Sequence, residues 1–312
     1  MTCLKFGFGL SVFLVGLLVA SKSVQGQAVP GVTEREILIG SCSALEGPSH
    51  FLGTETVTGA KAYLDMINDA GGVDGRKLRL ISYDDSYDPA KTEACFNRLM
   101  EQKVFALAFF VGTPTAVKYL PMAENQRQTA QVGGAIDTVK AAKPEAVVLV
   151  GPANTVAPIL KQSHAKGWKP LFLAVSFVGT DDLIQEAGPD AEGIVVTQVV
   201  PPYYLTEHKT VALYRRMLAK YYPSAQPNFV SLEGFVDAMT LVEGLKRAGK
   251  ELTREGLIRG IESIHEFDTG LGSQLKLDYS AKDHKGFDHV IPTVVRGGRA
   301  VPFTDWSTVT SK

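Results

Sequence analysis

The spacing of apolar residues predicts a strand, a helix and a second strand between residues 37 and 88. The apolar run 37–39 is followed by glycine, as in a strand buried on both faces. Apolar residues then recur at helical spacing over 54–69, and Gly71-Gly72 ends the helix because glycine accepts the left-handed conformation. The next strand covers 78–81. This order predicts a parallel sheet whose carboxyl-end loops bind ligands, which singles out the loop 44–49.

The rest of the chain continues as alternating strands and helices and then becomes rich in strands. Asp88-Pro89 is a typical helix start, and Gly297-Gly298 is typical of a hairpin turn. The predicted helices are 89–102, 115–125, 135–142, 152–166, a short one from Thr180, 207–221, 229–248 and 252–264. The further predicted strands are 105–111, 146–150, 171–175, 194–200, 274–277, 290–296 and 299–302.

The first 26 residues have the pattern of a secretory signal. Lys5 supplies a positive charge, residues 6–20 are mostly apolar, and small residues follow near Gly26. An uncleaved anchor is the alternative, although the apolar stretch is short for a bilayer, which takes ~20 residues. We therefore expect a secreted, periplasmic protein. Its net charge of −1 gives no basic surplus that would attract nucleic acid.

Two cysteines remain after the predicted signal is removed. Cys42 falls in the first strand, and Cys95 falls on the apolar side of a helix. A disulfide between them is permitted in an oxidising compartment. Burial habits favour two unpaired, buried thiols instead, since free cysteine is among the most buried residue types.

Several motifs resemble the leucine/isoleucine/valine-type periplasmic solute-binding proteins. They combine Gly59, Tyr63, Leu64, Ile67, Asn68, Ala70, Gly71, Gly72, Val73, Gly75 and Arg76 with Asp84, Asp85, Asp88 and Pro89, the run 111–115 and the run 165–168. The resemblance implies an α/β fold of two lobes, a type I periplasmic binding protein fold with parallel sheets flanked by helices. It also implies that a solute is clamped between the lobes and delivered to an ABC-type membrane permease.

The chain departs from the family pattern near residues 126–134. Family members continue there with a strand of the first lobe and the first elements of the second lobe, which this sequence lacks. We therefore expect an internal deletion and a shortened second lobe. The expected division is a signal peptide at 1–26, an N-terminal lobe at 27–128, a C-terminal lobe at 129–200, and a mixed segment at 201–312 that crosses again between the lobes.

Two loops of the first lobe are candidates for solute binding. Each follows a parallel strand and precedes a helix, where free backbone N–H groups favour an anion such as a carboxylate. The candidate residues are Ser49, His50, Gly112, Thr113, Pro114 and Thr115. Capping of the following helix is the alternative role for Ser49, Thr113 and Thr115, and a solvated loop position is the alternative for His50.

The second lobe is expected to contribute Asn154 and the loop 176–179, by their positions in the family pattern. Phe177 could shape the apolar end of a solute, or it could simply pack within its loop. Relatives that bind amino acids tend to place an aromatic residue where Ala153 stands and an acid near Phe177, and this chain offers neither clearly. We therefore expect a carboxylate, amide or aromatic acid more readily than a plain α-amino acid.

No motif in the sequence predicts catalysis, a metal site or a cofactor. The six histidines are scattered, and neither a zinc-binding spacing nor a nucleotide fingerprint is present. Asp84, Asp85 and Asp88 are explained by a helix cap and a solvated strand end. We expect a non-catalytic binding protein for a small amino-acid-like or carboxylate solute. A truncated, non-binding paralogue and an enzyme of Rossmann-like fold are the alternatives.

Overall fold

The computed structural model describes residues 29–124, 135–250 and 252–310, which form two α/β units. The predicted signal peptide and the junction 126–134 lie outside the described residues. In chain order the elements are β1 (Glu36–Ser43), α1 (His50–Asp69), β2 (Lys77–Asp84), α2 (Pro89–Glu101), β3 (Ala106–Leu107), α3 (Thr113–Glu124), α4 (Ala135–Ala141), β4 (Ala146–Leu149), α5 (Ala153–Ala165), β5 (Leu171–Val175), α6 (Thr180–Ala187), β6 (Val195–Gln198), α7 (Lys209–Tyr221), α8 (Phe229–Ala248), α9 (Arg254–Glu262), β7 (Phe267–Asp268), β8 (Lys276–Leu277), β9 (Ile291–Arg296), β10 (Arg299–Pro302) and α10 (Ser307–Thr310). The predicted order of strands and helices is confirmed, with β7 and α10 added.

The first sheet has the order β2-β1-β3, and all three strands are parallel. The central strand β1 is buried along nearly its whole length, as its unbroken apolar run predicts. Strand β3 is much shorter than the predicted 105–111. The reason is Phe109, whose φ of +62° lies outside the extended region and ends the strand.

Helices α7–α9 follow the second unit in sequence but pack on the first. Helix α8 crosses α1 so closely that a Cβ atom on Gly59 would lie 1.8 Å from the Ser231 carbonyl oxygen. Tyr63 of α1 meets Phe235 of α8 edge-to-face, with ring centroids 4.9 Å apart. The core of the first unit is thus built from both ends of the chain.

The second sheet has the order β10-β9-β6-β5-β4. Strands β4, β5 and β6 are parallel, and β9 and β10 form the predicted hairpin, antiparallel to β6. Helices α5 and α6 pack on one face through a buried cluster that includes Leu160, Phe172 and Leu183. At the β4 edge, in contrast, Val148 is 66% exposed and Val150 is 75% exposed.

Cys42 and Cys95 form a disulfide, so the expectation of unpaired thiols is wrong. Both residues are buried as predicted, but their Cα atoms lie 6.0 Å apart, within the usual range for a bridge. The bond ties β1 to α2 in the first unit. Sequence position alone does not reveal this separation, because it depends on how the helix packs across the sheet.

Candidate functional site

The carboxyl-end loops of the two sheets face each other and touch. Ser49, which precedes α1, is almost fully buried, and its Oγ accepts a hydrogen bond from Asn154 Nδ2 of α5 at 3.4 Å. The first residues of α5 therefore reach the first residues of α1 across the boundary between the units. We call this region of contact between the units the cleft and define it by the loop 44–49, the turn 111–115, Asn154 and the loop 176–179.

Two aromatic rings from opposite units lie together in this cleft. Tyr87 follows β2 and Phe177 follows β5, and their ring centroids are 6.3 Å apart at an interplanar angle of 31°. They pack against a small buried cluster of Leu52, Val111 and Val230. The cleft therefore combines a buried apolar cluster with polar groups beside it, and small-molecule sites combine the same two kinds of group.

The turn 111–115 is shaped by glycine and by a threonine that bonds to its own helix. Gly112 has φ +111°, and a Cβ atom there would lie 2.4 Å from a ring carbon of Tyr87. Thr115 is buried, and its hydroxyl lies 2.8 Å from the carbonyl oxygens of both Val111 and Gly112. The hydroxyl proton of Thr115 is thus used within the helix, while Thr113 is exposed and Pro114 is half-buried. A solute-binding role for these three residues stays a prediction.

His50 is the first residue of α1, rather than a loop residue. Its side chain is exposed, and Nδ1 lies 2.9 Å from the Gly47 carbonyl oxygen. Across the cleft, burial and, to a smaller extent, Glu186 raise the pKa of Asp182 to about 6, against the opposing charge of His50. His50 therefore faces acidic groups of the second unit, and its role toward a solute also stays a prediction.

Two aspartates hold the first-unit loops in place. The sequence predicted a solvated position for Asp85, and this prediction is wrong, because Asp85 is buried. Asp84 Oδ1 accepts the backbone N–H groups of Leu45, Glu46 and Ser86 at 2.8–2.9 Å. Desolvation opposes ionisation of Asp84, but these hydrogen bonds lower its pKa overall. Asp85 is fully buried and accepts the Tyr87 N–H at 3.0 Å, which helps to fix Tyr87 in its left-handed conformation (φ +62°).

A further carboxylate joins the two units. Asp181 of α6 accepts the Phe229 N–H at 3.1 Å and the Tyr203 hydroxyl at 2.9 Å. Phe229 begins α8, so a negative charge there is favoured by the helix dipole. Burial nevertheless raises the pKa of Asp181. This contact orients α8 toward the second unit.

Helix α8 brings two acids to the inner side of the cleft. Burial and, to a smaller extent, Asp237 raise the pKa of Glu233 to about 8, against the opposing effect of the Ser176 hydroxyl. Asp237 is an exposed residue, and desolvation by its surroundings raises its pKa to about 6. The sequence signal for this pair was two acids at i and i+4 within the largely apolar stretch 229–242 of α8.

The cleft therefore assembles part of the predicted set and adds residues that the sequence did not single out. Ser49, Asn154, Gly112 and Phe177 come together, and Ser176 lies beside α8. The added residues are Tyr87, Glu233, Asp237 and Asp181. A separate depression of about 970 Å³, lined in part by Trp168, lies at the amino ends of β4 and β5, away from the cleft.

Within the described ranges, no three His, Cys, Asp or Glu side chains are grouped to hold a metal ion. The helices of the same ranges include none that is long and apolar enough to cross a membrane.

Comparison with known proteins identifies one family that matches the chain and several solved structures with a similar fold. The family model described as periplasmic binding protein matches residues 36–132 and 126–299, in two overlapping pieces. The chain is 32% identical over 69 residues to the Leu/Ile/Val-binding protein of Escherichia coli (strain K12). That stretch is 22% of this chain and 19% of the relative, so the chain matches about a fifth of the relative's length.

Two solved structures are similar along most of the chain. One is described as a possible leucine/isoleucine/valine-binding protein from Rhodopirellula baltica SH 1, with TM-score 0.81, 24% identity and coverage of 92% of this chain and 100% of that one. The other is a fatty acid ABC transporter substrate-binding protein from Thermomonospora curvata, with TM-score 0.75, 19% identity and coverage of 88% and 93%. At these identities the likeness establishes the fold, which is that of type I periplasmic binding proteins.

Proposed function

This chain belongs to the periplasmic binding protein family, and we propose that it is the solute-binding component of an ABC-type uptake system. The proposed solute is a small carboxylate or amino-acid-like molecule held between the two units, which then docks on a membrane permease. Family membership implies a periplasmic location, and the signal peptide at 1–26 is part of the proposal. The chain acts by binding and carries out no reaction.

One observation supports this function more than any other: the loop ends of the two sheets meet. The Ser49–Asn154 hydrogen bond and the Tyr87–Phe177 ring contact connect the units at the edge where α/β sheets bind ligands. A solute entering here would meet the start of α1, and the positive end of a helix dipole favours a carboxylate. Hinged closure of two units over such a solute is a well-known mode of conformational change.

We also propose that the chain lacks an internal segment near residues 126–134 and has a shortened second lobe. The two overlapping pieces of the family match support this, since 126–132 is matched twice. The proposed lobes are 27–128 and 129–200, with 201–312 shared between them, in keeping with the return of α7–α9 to the first core. A truncated paralogue that folds but does not bind is the second candidate.

Isothermal titration calorimetry with leucine, isoleucine, valine, aromatic acids and short amides tests the function. We expect saturable one-site binding that is weakened about tenfold or more by Phe177→Ala, because the ring contributes apolar contact worth roughly 1.5–3 kcal/mol. Met100→Ala, an exposed change on α2, is the matched control. No heat from any solute, together with a cooperative melt by circular dichroism, would favour the non-binding paralogue.

A further inference from the structure

A second concave surface lies at the opposite edge of the second sheet from the cleft. It is the depression of about 970 Å³ at the amino ends of β4 and β5. Its volume is in the range of small-molecule sites, roughly 300–1,000 Å³. The apolar residues in its wall include Leu160, Trp168, Phe172, Ile194 and Val309. These residues all belong to the second unit, so the depression does not depend on how the two units meet.

Trp168 gives the wall of the depression an aromatic face. Its indole ring meets the Phe172 ring edge-to-face, with centroids 5.9 Å apart at an interplanar angle of 78°. Phe172 is buried, whereas Trp168 is only half-buried. Part of the indole is therefore open at the depression, where a flat apolar group can lie against it.

The direction of the helices makes this depression electrostatically opposite to the cleft. Helices α5 and α6 begin at the cleft and end at Ala165 and Ala187, on the side of the depression. The carboxyl end of a helix dipole is negative and favours a cation, whereas the amino end favours an anion. Lys140 offsets part of this potential by donating to the Lys166 carbonyl oxygen at 3.0 Å, but Lys140 does not line the depression.

The charged side chains of the wall add to the negative potential. Three carboxylates line the depression, those of Glu145, Asp190 and Glu192. Lys169 is the only lysine or arginine in the part of the wall that the structure describes. Glu145 and Glu192 are exposed, so both can turn toward a ligand. A cation is therefore favoured in the depression and a carboxylate is disfavoured.

His164 adds a hydrogen-bond acceptor to the same wall. Its Nδ1 atom lies 2.8 Å from Asp190 Oδ1, and its side chain is 16% exposed. Because a carboxylate accepts hydrogen bonds, the proton lies on Nδ1, which leaves Nε2 of the neutral ring as an acceptor. Together with the three carboxylates, His164 favours a ligand that donates N–H groups.

We propose that the depression is a second ligand site, independent of the cleft, for a small flat organic cation of the amidine or guanidine class. The apolar body of the ligand lies on the Trp168 indole, and its N–H groups donate to the carboxylates and to His164. A planar cation with several N–H donors matches carboxylate oxygens better than a compact ammonium group does. The inference goes beyond the proposed function, because no residue of the cleft takes part.

Calorimetry on the full mature protein with three probes of nearly the same shape tests the preference for a cation. Benzamidine is a cation, benzamide is neutral and benzoate is an anion. We expect saturable one-site binding of benzamidine, at least about tenfold tighter than that of benzamide. Added salt should weaken it, because salt screens the carboxylates of the wall. An excess of benzoate should not displace benzamidine, even if benzoate binds in the cleft.

Two substitutions locate the site. Trp168→Leu keeps an apolar side chain but removes the aromatic face, and it should weaken benzamidine binding about fivefold. Glu145→Gln removes one exposed charge and should weaken binding about twofold. Glu101→Gln is the matched control for charge, because Glu101 is exposed on α2 of the first unit. Phe177→Ala is the control for location, because it alters the cleft. Neither control should change the affinity for benzamidine.

The inference is overturned if benzamidine does not bind, if benzamide binds equally well, or if benzoate displaces benzamidine. It is also overturned if the affinity is unchanged in Trp168→Leu or in Glu145→Gln, or is lost in Phe177→Ala. None of these results decides the proposed function, which is tested with other solutes. The comparison of the three probes needs no variant, so poor folding of Trp168→Leu does not leave the question open.

Discussion

The two rims of the cleft are built very differently. On the first unit, Asp84 ties the loop 44–49 to the end of β2, Asp85 anchors Tyr87, and a disulfide locks β1 to α2. On the second unit, Asn154 reaches across with a hydrogen bond of 3.4 Å, and the sheet ends in an edge strand with exposed valines. Under the proposed function, this contrast would provide one preorganised rim that holds a solute and a second rim that closes on it.

Removal of the disulfide is expected to have the largest effect on the difference between the two rims. Replacing both cysteines (Cys42→Ser with Cys95→Ser) should lower the free energy of unfolding by about 4 kcal/mol, because the bridge closes a loop of 53 residues. Urea denaturation in oxidising buffer measures the change. Wild-type protein treated with reductant is the control and should show the same loss. A loss below about 1 kcal/mol would mean that the first rim does not depend on the bridge.

Glu233 should make stability depend on pH. The pKa of this acid is raised from 4.5 to about 8 in the folded state, so the folded protein retains a proton that the unfolded chain releases. Stability is therefore lost as pH rises from about 4.5 through about 8, by at most about 5 kcal/mol. Glu233→Gln removes this loss, and its melting temperature should exceed that of wild type increasingly between pH 5 and pH 8. A difference that stays constant with pH would contradict the assignment.

Matched substitutions, one on each rim, should differ in how much stability they cost. Asp85→Ala leaves the Tyr87 N–H without its buried acceptor and removes one of the two acceptors of the Thr92 hydroxyl, at a cost of about 1–3 kcal/mol. Asn154→Ala removes two long hydrogen bonds, one to Ser49 and one from the Thr155 hydroxyl, and should cost less than about 0.5 kcal/mol of stability. Chemical denaturation of both variants measures the difference. Equal losses would show that the second rim is as firmly built as the first.

The smallest effect is expected at the β4 edge. Val150 is 75% exposed, so Val150→Thr should change stability by no more than about 0.5 kcal/mol. Val196→Thr in β6 is the matched change at a fully buried position and should cost about 1–3 kcal/mol. A thermal melt of each variant checks the pair. A large loss at Val150 would mean that the edge is covered in solution.

The order of the elements was predictable because local patterns determine it. Asp88 caps α2 by accepting the Ala90 N–H, and Thr253 caps α9 by accepting the Gly256 N–H, both as expected from residue type. The apolar run of β1 is buried as predicted. Such features depend on neighbours in sequence, so the sequence alone is sufficient to predict them.

The features that sequence did not predict depend on distant contacts. The disulfide requires α2 to place Cys95 over Cys42, and β3 is cut short by the conformation of Phe109. Glu233 resembles a surface acid in the sequence and becomes a cleft residue only because α8 packs against α1. The sequence therefore predicted the part of the candidate site that lies in the loops after the strands. It did not predict that Glu233 and Asp237 of α8 lie beside these loops.

Hydrogen–deuterium exchange with and without a saturating solute tests the central claim most directly. If the solute is held between the rims, exchange should slow on both sides at once, at 44–52 and 111–116 on the first unit and at 153–156 and 176–180 on the second. Protection on one unit only, or protection confined to the depression beside Trp168, would contradict the account.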